Sequence, residues 1–98
     1  MNKRDLVEKI AEDAALTRVQ AARALDAFID GVQTGLSRGD RVALVGFGTF
    51  AVAERKARRV RNPKGGTLRI PARRVARFSP GVDLKAIVDE ASNGEAVT

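Results

Sequence analysis

Apolar side chains along the first third of the chain repeat at helical spacing. Leu6, Val7, Ile10, Ala11 and Ala14 recur three and four residues apart, which predicts a short amphipathic helix starting near Asn2 or Lys3, with Asn2 as its cap. Thr17 and Gln20 stand at capping-box spacing, each side chain able to satisfy a free amide at the other's position, so a second helix is predicted to start there. Ala21, Leu25, Phe28, Ile29, Val32 and Leu36 then form a stripe that lasts for roughly four to five turns. Gly31 and Gly35 lie inside that run at about 1 kcal/mol each relative to alanine, which points to close packing of another backbone or a frayed last turn. Ser37-Arg38-Gly39-Asp40 supplies the stop, with Gly39 as a left-handed cap.

From Arg41 the period changes to two. Val42 and Leu44 alternate with Arg41 and Ala43, and Gly46-Phe47-Gly48 reverses the chain into Thr49-Phe50-Ala51-Val52, a hairpin. Beyond Val52 the strand pattern continues while its apolar content collapses, because only Ala57 and Val60 are apolar between Glu54 and Arg61. Asn62-Pro63-Lys64-Gly65-Gly66 is a cluster of turn residues, and Thr67-Leu68-Arg69-Ile70-Pro71 reads as the returning strand. Such a strand pair cannot belong to a core; it predicts a protruding β-ribbon with Pro63 at the tip. At about 3.3 Å per residue, roughly nine residues per strand reach on the order of 30 Å. Val75 to Phe78 return to the body, and Leu84, Ile87 and Val88 mark a short last helix after Pro80-Gly81. The small, polar residues 92–98 have the composition of a frayed tail.

Composition sharpens this outline. With 98 residues the chain is one small domain whose lone copy would be marginal, which favours self-association. The absence of cysteine excludes disulfides, thiolate metal sites and thiol catalysis, and the absence of histidine removes the commonest general base. There is no tryptophan or tyrosine to stack on bases, and no apolar run long enough for a signal peptide or membrane span, so the expected location is cytoplasmic. The formal charge of +6 is unevenly distributed. Residues 54–77 hold ten basic side chains against one acid, Glu54, a segment charge of +9 that leaves the other 74 residues at −3. One short segment therefore carries the whole positive excess, the footprint of a polyanionic partner.

Gly46-Phe47-Gly48-Thr49-Phe50, followed by Arg55, Arg58 and Arg61-Asn62-Pro63, resembles the signature of the bacterial HU and integration-host-factor family, and is closest to HU. The resemblance extends to Met1-Asn2-Lys3, Ala24-Leu25-Asp26-Ala27-Phe28, Ile70-Pro71-Ala72 and Phe78-Ser79-Pro80-Gly81, covering about 90 residues in order. The arm is one residue shorter than usual between Gly66 and Ile70, and Ser79 and Val82 stand where family members often carry lysines.

The resemblance implies an α+β fold: two N-terminal helices, a three-stranded antiparallel sheet with a long protruding β-ribbon arm, a short C-terminal helix, and an intertwined dimer. It places a single DNA-binding domain over 1–91 (helical base 1–39, sheet and arm 41–78, last helix 82–91) and a flexible tail over 92–98. The expected dimer core is Phe28, Ile29, Val32, Leu36, Leu44, Phe47, Phe50 and Phe78, and Lys3 and Asp26 are expected to pair on the body. The expected DNA contacts are Lys3, Arg55, Arg58, Arg59, Arg61, Asn62, Pro63, Lys64, Arg69, Arg73, Arg74 and Lys85, with Pro63 as the wedge that kinks the duplex.

The function so implied is an architectural one: weakly specific binding of double-stranded DNA through the minor groove, bending and compacting it at the nucleoid. No catalytic residue, metal, cofactor, small-molecule substrate or membrane is expected, and the partners are duplex DNA and a second copy of the chain or a paralogue. A sequence-preferring integration-host-factor-type subunit is the alternative within the class. A basic RNA-binding protein is more distant, because no aromatic residue lies between Val52 and Arg77 to stack on unpaired bases. An enzyme is the weakest reading, since Glu54 has no acid or base partner in the arm.

Overall fold

A computed structural model describes residues 1–97, with 92–97 described by their backbone path alone. The chain forms two compact units, Met1–Gly35 and the remainder from Leu36 onward.

The first unit holds helix α1 (Lys3–Asp13) and most of helix α2 (Arg18–Ser37). Asn2 caps α1 in a reciprocal box: its side chain accepts from the Asp5 amide at 3.0 Å, and the Asp5 carboxylate accepts from the Asn2 amide at 3.0 Å. The predicted box at α2 is also present, with Thr17 Oγ1 accepting from the Gln20 amide at 3.1 Å and Gln20 Oε1 accepting from the Thr17 amide at 3.0 Å. Between the helices Ala15 takes a left-handed φ of 56°, and the Leu16 amide donates back to the Ala11 carbonyl at 2.9 Å. This is a helix C-cap normally given to glycine. Lys3 Nζ pairs with Asp26 Oδ1 at 2.6 Å, as expected, and Arg18 with Glu8 at 3.2 Å. Lys9 pairs with Asp13 at 2.8 Å, and that hydrogen bond raises the Lys9 pKa above its ordinary value.

In the second unit strands β1 (Val42–Leu44), β2 (Gly48–Arg55) and β5 (Arg73–Pro80) make an antiparallel sheet in the order β1-β2-β5. Strands β3 (Arg58–Arg61) and β4 (Thr67–Ile70) pair separately as the arm, and α3 (Val82–Val97) closes the chain. Gly39 ends α2 at φ +83°, as predicted, and Gly46 turns the first hairpin at φ +86°, with the Phe47 amide donating to the Leu44 carbonyl at 3.0 Å. A positive φ at the third residue of a four-residue turn is what a type II turn demands.

Three aromatic rings gather on the sheet. Phe50 faces Phe78 across the ladder with ring centroids 4.8 Å apart, and Phe47 lies 5.3 Å from Phe78. The Phe78 ring lies over Gly48, where an added Cβ would meet ring carbons at 2.5 and 2.7 Å and the Ser79 carbonyl oxygen at 2.7 Å. Only hydrogen fits there.

Two sequence boundaries shift. The strand expected to end at 78 continues to Pro80, and the helix expected over 82–91 continues to Val97, so the supposed tail is helical through 97, while 98 lies outside the described residues.

Among the described residues only Ala21 and Gly48 are buried. Of the expected core, Phe28 (46%), Ile29 (37%), Phe47 (44%) and Phe78 (39%) stay substantially exposed, while Val32, Leu36, Leu44 and Phe50 are half-buried. A 98-residue chain with this much uncovered apolar surface has no completed core of its own.

Candidate nucleic-acid interface

The arm is a continuation of β2 and β5 past a gap. Arg55 faces Arg73 at the end of one ladder, and Arg58 faces Ile70 at the start of the next, three positions further along both strands. Neither strand gains a residue across the gap. The positions skipped are Lys56 and Ala57 on one side and Pro71 and Ala72 on the other, and Pro71 has no amide hydrogen to donate.

Because the register is unbroken, the two-residue period sorts every side chain of the ribbon to one of two faces. One face carries Arg55, Arg59 and Arg61 on the outgoing strands and Arg69, Arg73 and Arg77 on the returning ones. The other carries Phe50, Val52, Val60, Leu68, Ile70 and Phe78, together with Glu54, Arg58 and Arg74. On the first face Arg59 lies directly opposite Arg69, and Arg55 directly opposite Arg73. Like charges in facing positions destabilise a sheet by up to about 1 kcal/mol per pair. No ion pair relieves them: among the described residues the ion pairs are Lys3–Asp26, Lys9–Asp13 and Arg18–Glu8, all in the first unit. This face is a run of positive charge that no acidic side chain of the ribbon offsets.

The tip is built by local backbone chemistry. The Gly65 amide donates to the Asn62 carbonyl at 2.9 Å and the Asn62 amide to the Gly66 carbonyl at 3.0 Å, while Asn62 Oδ1 accepts from the Lys64 amide at 3.0 Å. Pro63 thus occupies the second position of a four-residue turn, where its fixed φ belongs, and Gly65 (φ +103°) and Gly66 (φ +80°) take conformations closed to most residues. Pro63 stands exposed at the extremity, and the Asn62 side-chain oxygen is occupied in holding the turn.

The expected contact residues therefore divide. Arg55, Arg59, Arg61, Arg69 and Arg73 share the cationic face, with Asn62, Pro63 and Lys64 at the tip. Arg58 and Arg74 are on the opposite face, and Arg74 donates from Nη2 to the Leu36 carbonyl at 3.4 Å, at the end of α2. Lys3 belongs to the first unit and is engaged by Asp26, and Lys85 stands on α3 beside Pro80 and Asp89. Arg77, absent from the expected set, belongs to the cationic face; it lies four residues from Arg73, and the two-residue period already carried that signal. Among the described residues no group of three or more acidic side chains could hold a metal, and no helix is long and apolar enough to cross a membrane.

These features define a class of small α+β chain that presents a two-stranded, arginine-faced ribbon to a polyanion. The chain belongs to the family described as bacterial DNA-binding protein, whose profile matches residues 1–89. It is 45% identical over 89 residues to DNA-binding protein HU of Geobacillus stearothermophilus, covering 90% of this chain and 99% of that protein, and 46% identical over 89 residues to HU of Staphylococcus aureus, with the same coverage. Among solved structures, the HU chain of an Anabaena HU–DNA cocrystal superposes with a TM-score of 0.85 at 46% identity, covering 90% of this chain and 97% of that one. HU of Thermotoga maritima gives a TM-score of 0.66 at 27% identity, covering 90% and 98%.

Proposed function

We propose that this protein is an architectural DNA-binding protein, which grips duplex DNA between the cationic ribbons of a homodimer and bends it. The observation that carries the reading is the pair of arginine–arginine oppositions, Arg55 with Arg73 and Arg59 with Arg69, on a face with no acid to neutralise them. That arrangement is costly in the free chain and becomes favourable only when phosphates lie between the side chains, releasing their condensed counterions. Guanidinium groups also enter a narrow minor groove and donate to acceptors that A·T and T·A present alike, so binding carries little sequence preference.

Homodimerisation is supported by the uncovered apolar groups. Phe28, Ile29, Phe47 and Phe78 are the surfaces that a second copy would cover. Pro63 at the tip is a rigid apolar wedge with no amide hydrogen to strand when it leaves water, and family members are known to kink duplexes by such insertion. Unstacking a step costs a few kcal/mol, which the wrapping contacts offset. An association with DNA supports a location at the nucleoid, and the reading calls for no turnover.

The test is equilibrium binding of a short random duplex across a range of salt concentrations, with sedimentation of the free protein. A steep linear fall of log affinity with log salt and a dimer are expected. No complex at low ionic strength, or full binding after removal of residues 54–77, would refute the reading. Affinities for random and A-tract duplexes should differ by less than about 4 kcal/mol, the smallest gap usual between specific and non-specific sites.

A further inference from the structure

At the gap between sheet and arm, where the ladder is interrupted, the ribbon becomes concave and side chains of both faces border the hollow. A cleft of about 610 Å³ opens there, lined by Arg55, Lys56, Arg58, Arg73 and Arg77 around Pro71. Its lining includes no acid. Glu54, the one acidic residue of the ribbon, sits across the ladder from Arg74 on the other face.

We infer that this cleft is a discrete binding site for a linear oligophosphate, whether free or carried on a nucleoside, and that its occupation competes with DNA for the root of the arm. Arg55, Arg73 and Arg77 from the cationic face and Lys56 and Arg58 from the interrupted strand line one concave volume, so a compact anion there is met from several sides, whereas on the open ribbon beyond Arg58 the charges fan out along an extended surface. A low-dielectric wall behind converging charges focuses their field and raises the local concentration of a multivalent anion. Guanidinium forks match phosphoryl oxygens two at a time, which suits adjacent phosphoryl groups of one chain better than separate monovalent ions. Three or more linked phosphoryl groups supply the matching charge. The competition with DNA rests on the functional reading above, because Arg55, Arg73 and Arg77 belong to the face assigned to DNA; occupation of the cleft by an oligophosphate does not.

Calorimetric titration of the full-length protein with inorganic tripolyphosphate, at low salt and without DNA, tests the site. Saturable binding at one equivalent per chain is expected, and the double variant R73Q/R77Q should lose at least tenfold in affinity. R61Q/K64Q removes the same charge from the distal arm, outside the cleft, and should lose less than threefold. Equal losses in the two variants, or no saturation by about 1 mM, would overturn the proposal by reducing it to net charge. Circular dichroism of both variants separates loss of a site from loss of fold. A nucleoside triphosphate and a longer polyphosphate run in parallel identify the source: tighter binding of the nucleotide assigns the cleft's apolar lining, Ile70, Val75 and Ala76, to a base, and tighter binding of the polymer assigns the cleft to phosphate alone. Duplex binding measured in the absence of any oligophosphate stands apart from these arms, so failure of the cleft and failure of the DNA reading give different results.

Discussion

Replacing Arg59 by threonine is expected to do two things of opposite sign. Facing side chains in an antiparallel pair have Cβ atoms about 5 Å apart. Two unit charges at about 5 Å in water repel by about 0.8 kcal/mol, and screening at physiological salt roughly halves that. Arg59 lies opposite Arg69, so Arg59→Thr should strengthen pairing of β3 with β4 by up to about 0.4 kcal/mol, a ceiling because the flexible guanidinium groups spread beyond the Cβ spacing, aided by the strand preference of a β-branched residue. The same substitution removes one phosphate partner from each arm. Each lost partner lowers the slope of log affinity against log salt by about 0.9, hence about 1.8 for two arms. Between about 50 and about 200 mM salt the unmodified protein should therefore lose about 12-fold more affinity than the variant. Fluorescence anisotropy of a labelled duplex measures the slope, and amide exchange at Val60 and Leu68, a facing pair whose amides point across the ladder, measures the pairing. An unchanged slope, or faster exchange in the variant, would show that Arg59 is a structural residue and that the opposition is not held in reserve for an anion.

Pro63→Ala should keep most of the affinity, because the phosphate partners remain, yet reduce the bend seen in circular-permutation gel shifts; an identical bend would remove the wedge role. Gly48→Ala should lower stability by about 1–3 kcal/mol in chemical denaturation, since a Cβ there meets the Phe78 ring and the Ser79 carbonyl at under 3 Å. Ala15→Gly should raise stability by about 1 kcal/mol in the same assay, because it relieves the left-handed conformation at φ 56°. The melting temperature should climb with protein concentration, as for any fold completed by a second copy, and a constant value across a hundredfold dilution would argue against the dimer.

Local chemistry made much of this structure legible in the sequence. The Thr17–Gln20 box, the Gly39 cap and the turn at Asn62-Pro63-Lys64-Gly65 each rest on interactions within a few residues, and each is found where the pattern puts it. The division of the basic segment was harder to read. Arg73 and Arg74 are neighbours of the same type, but a strand sends them to opposite faces, and only the pairing of β5 with β2 fixes which face joins Arg55 and Arg59. Arg74's bond to the Leu36 carbonyl spans 38 positions and has no local signal at all. The separation of sheet from arm has a local signal in Pro71, whose missing donor interrupts the ladder. The length of α3 eluded composition because small polar residues suit a frayed end and a continued helix almost equally.

The empty rungs at Pro71 leave no surplus residue on either side. Palm and back of the finger are therefore indexed continuously from root to tip, and Arg77 in the sheet shares its side with Arg61 beside the fingertip although the ladder between them is broken.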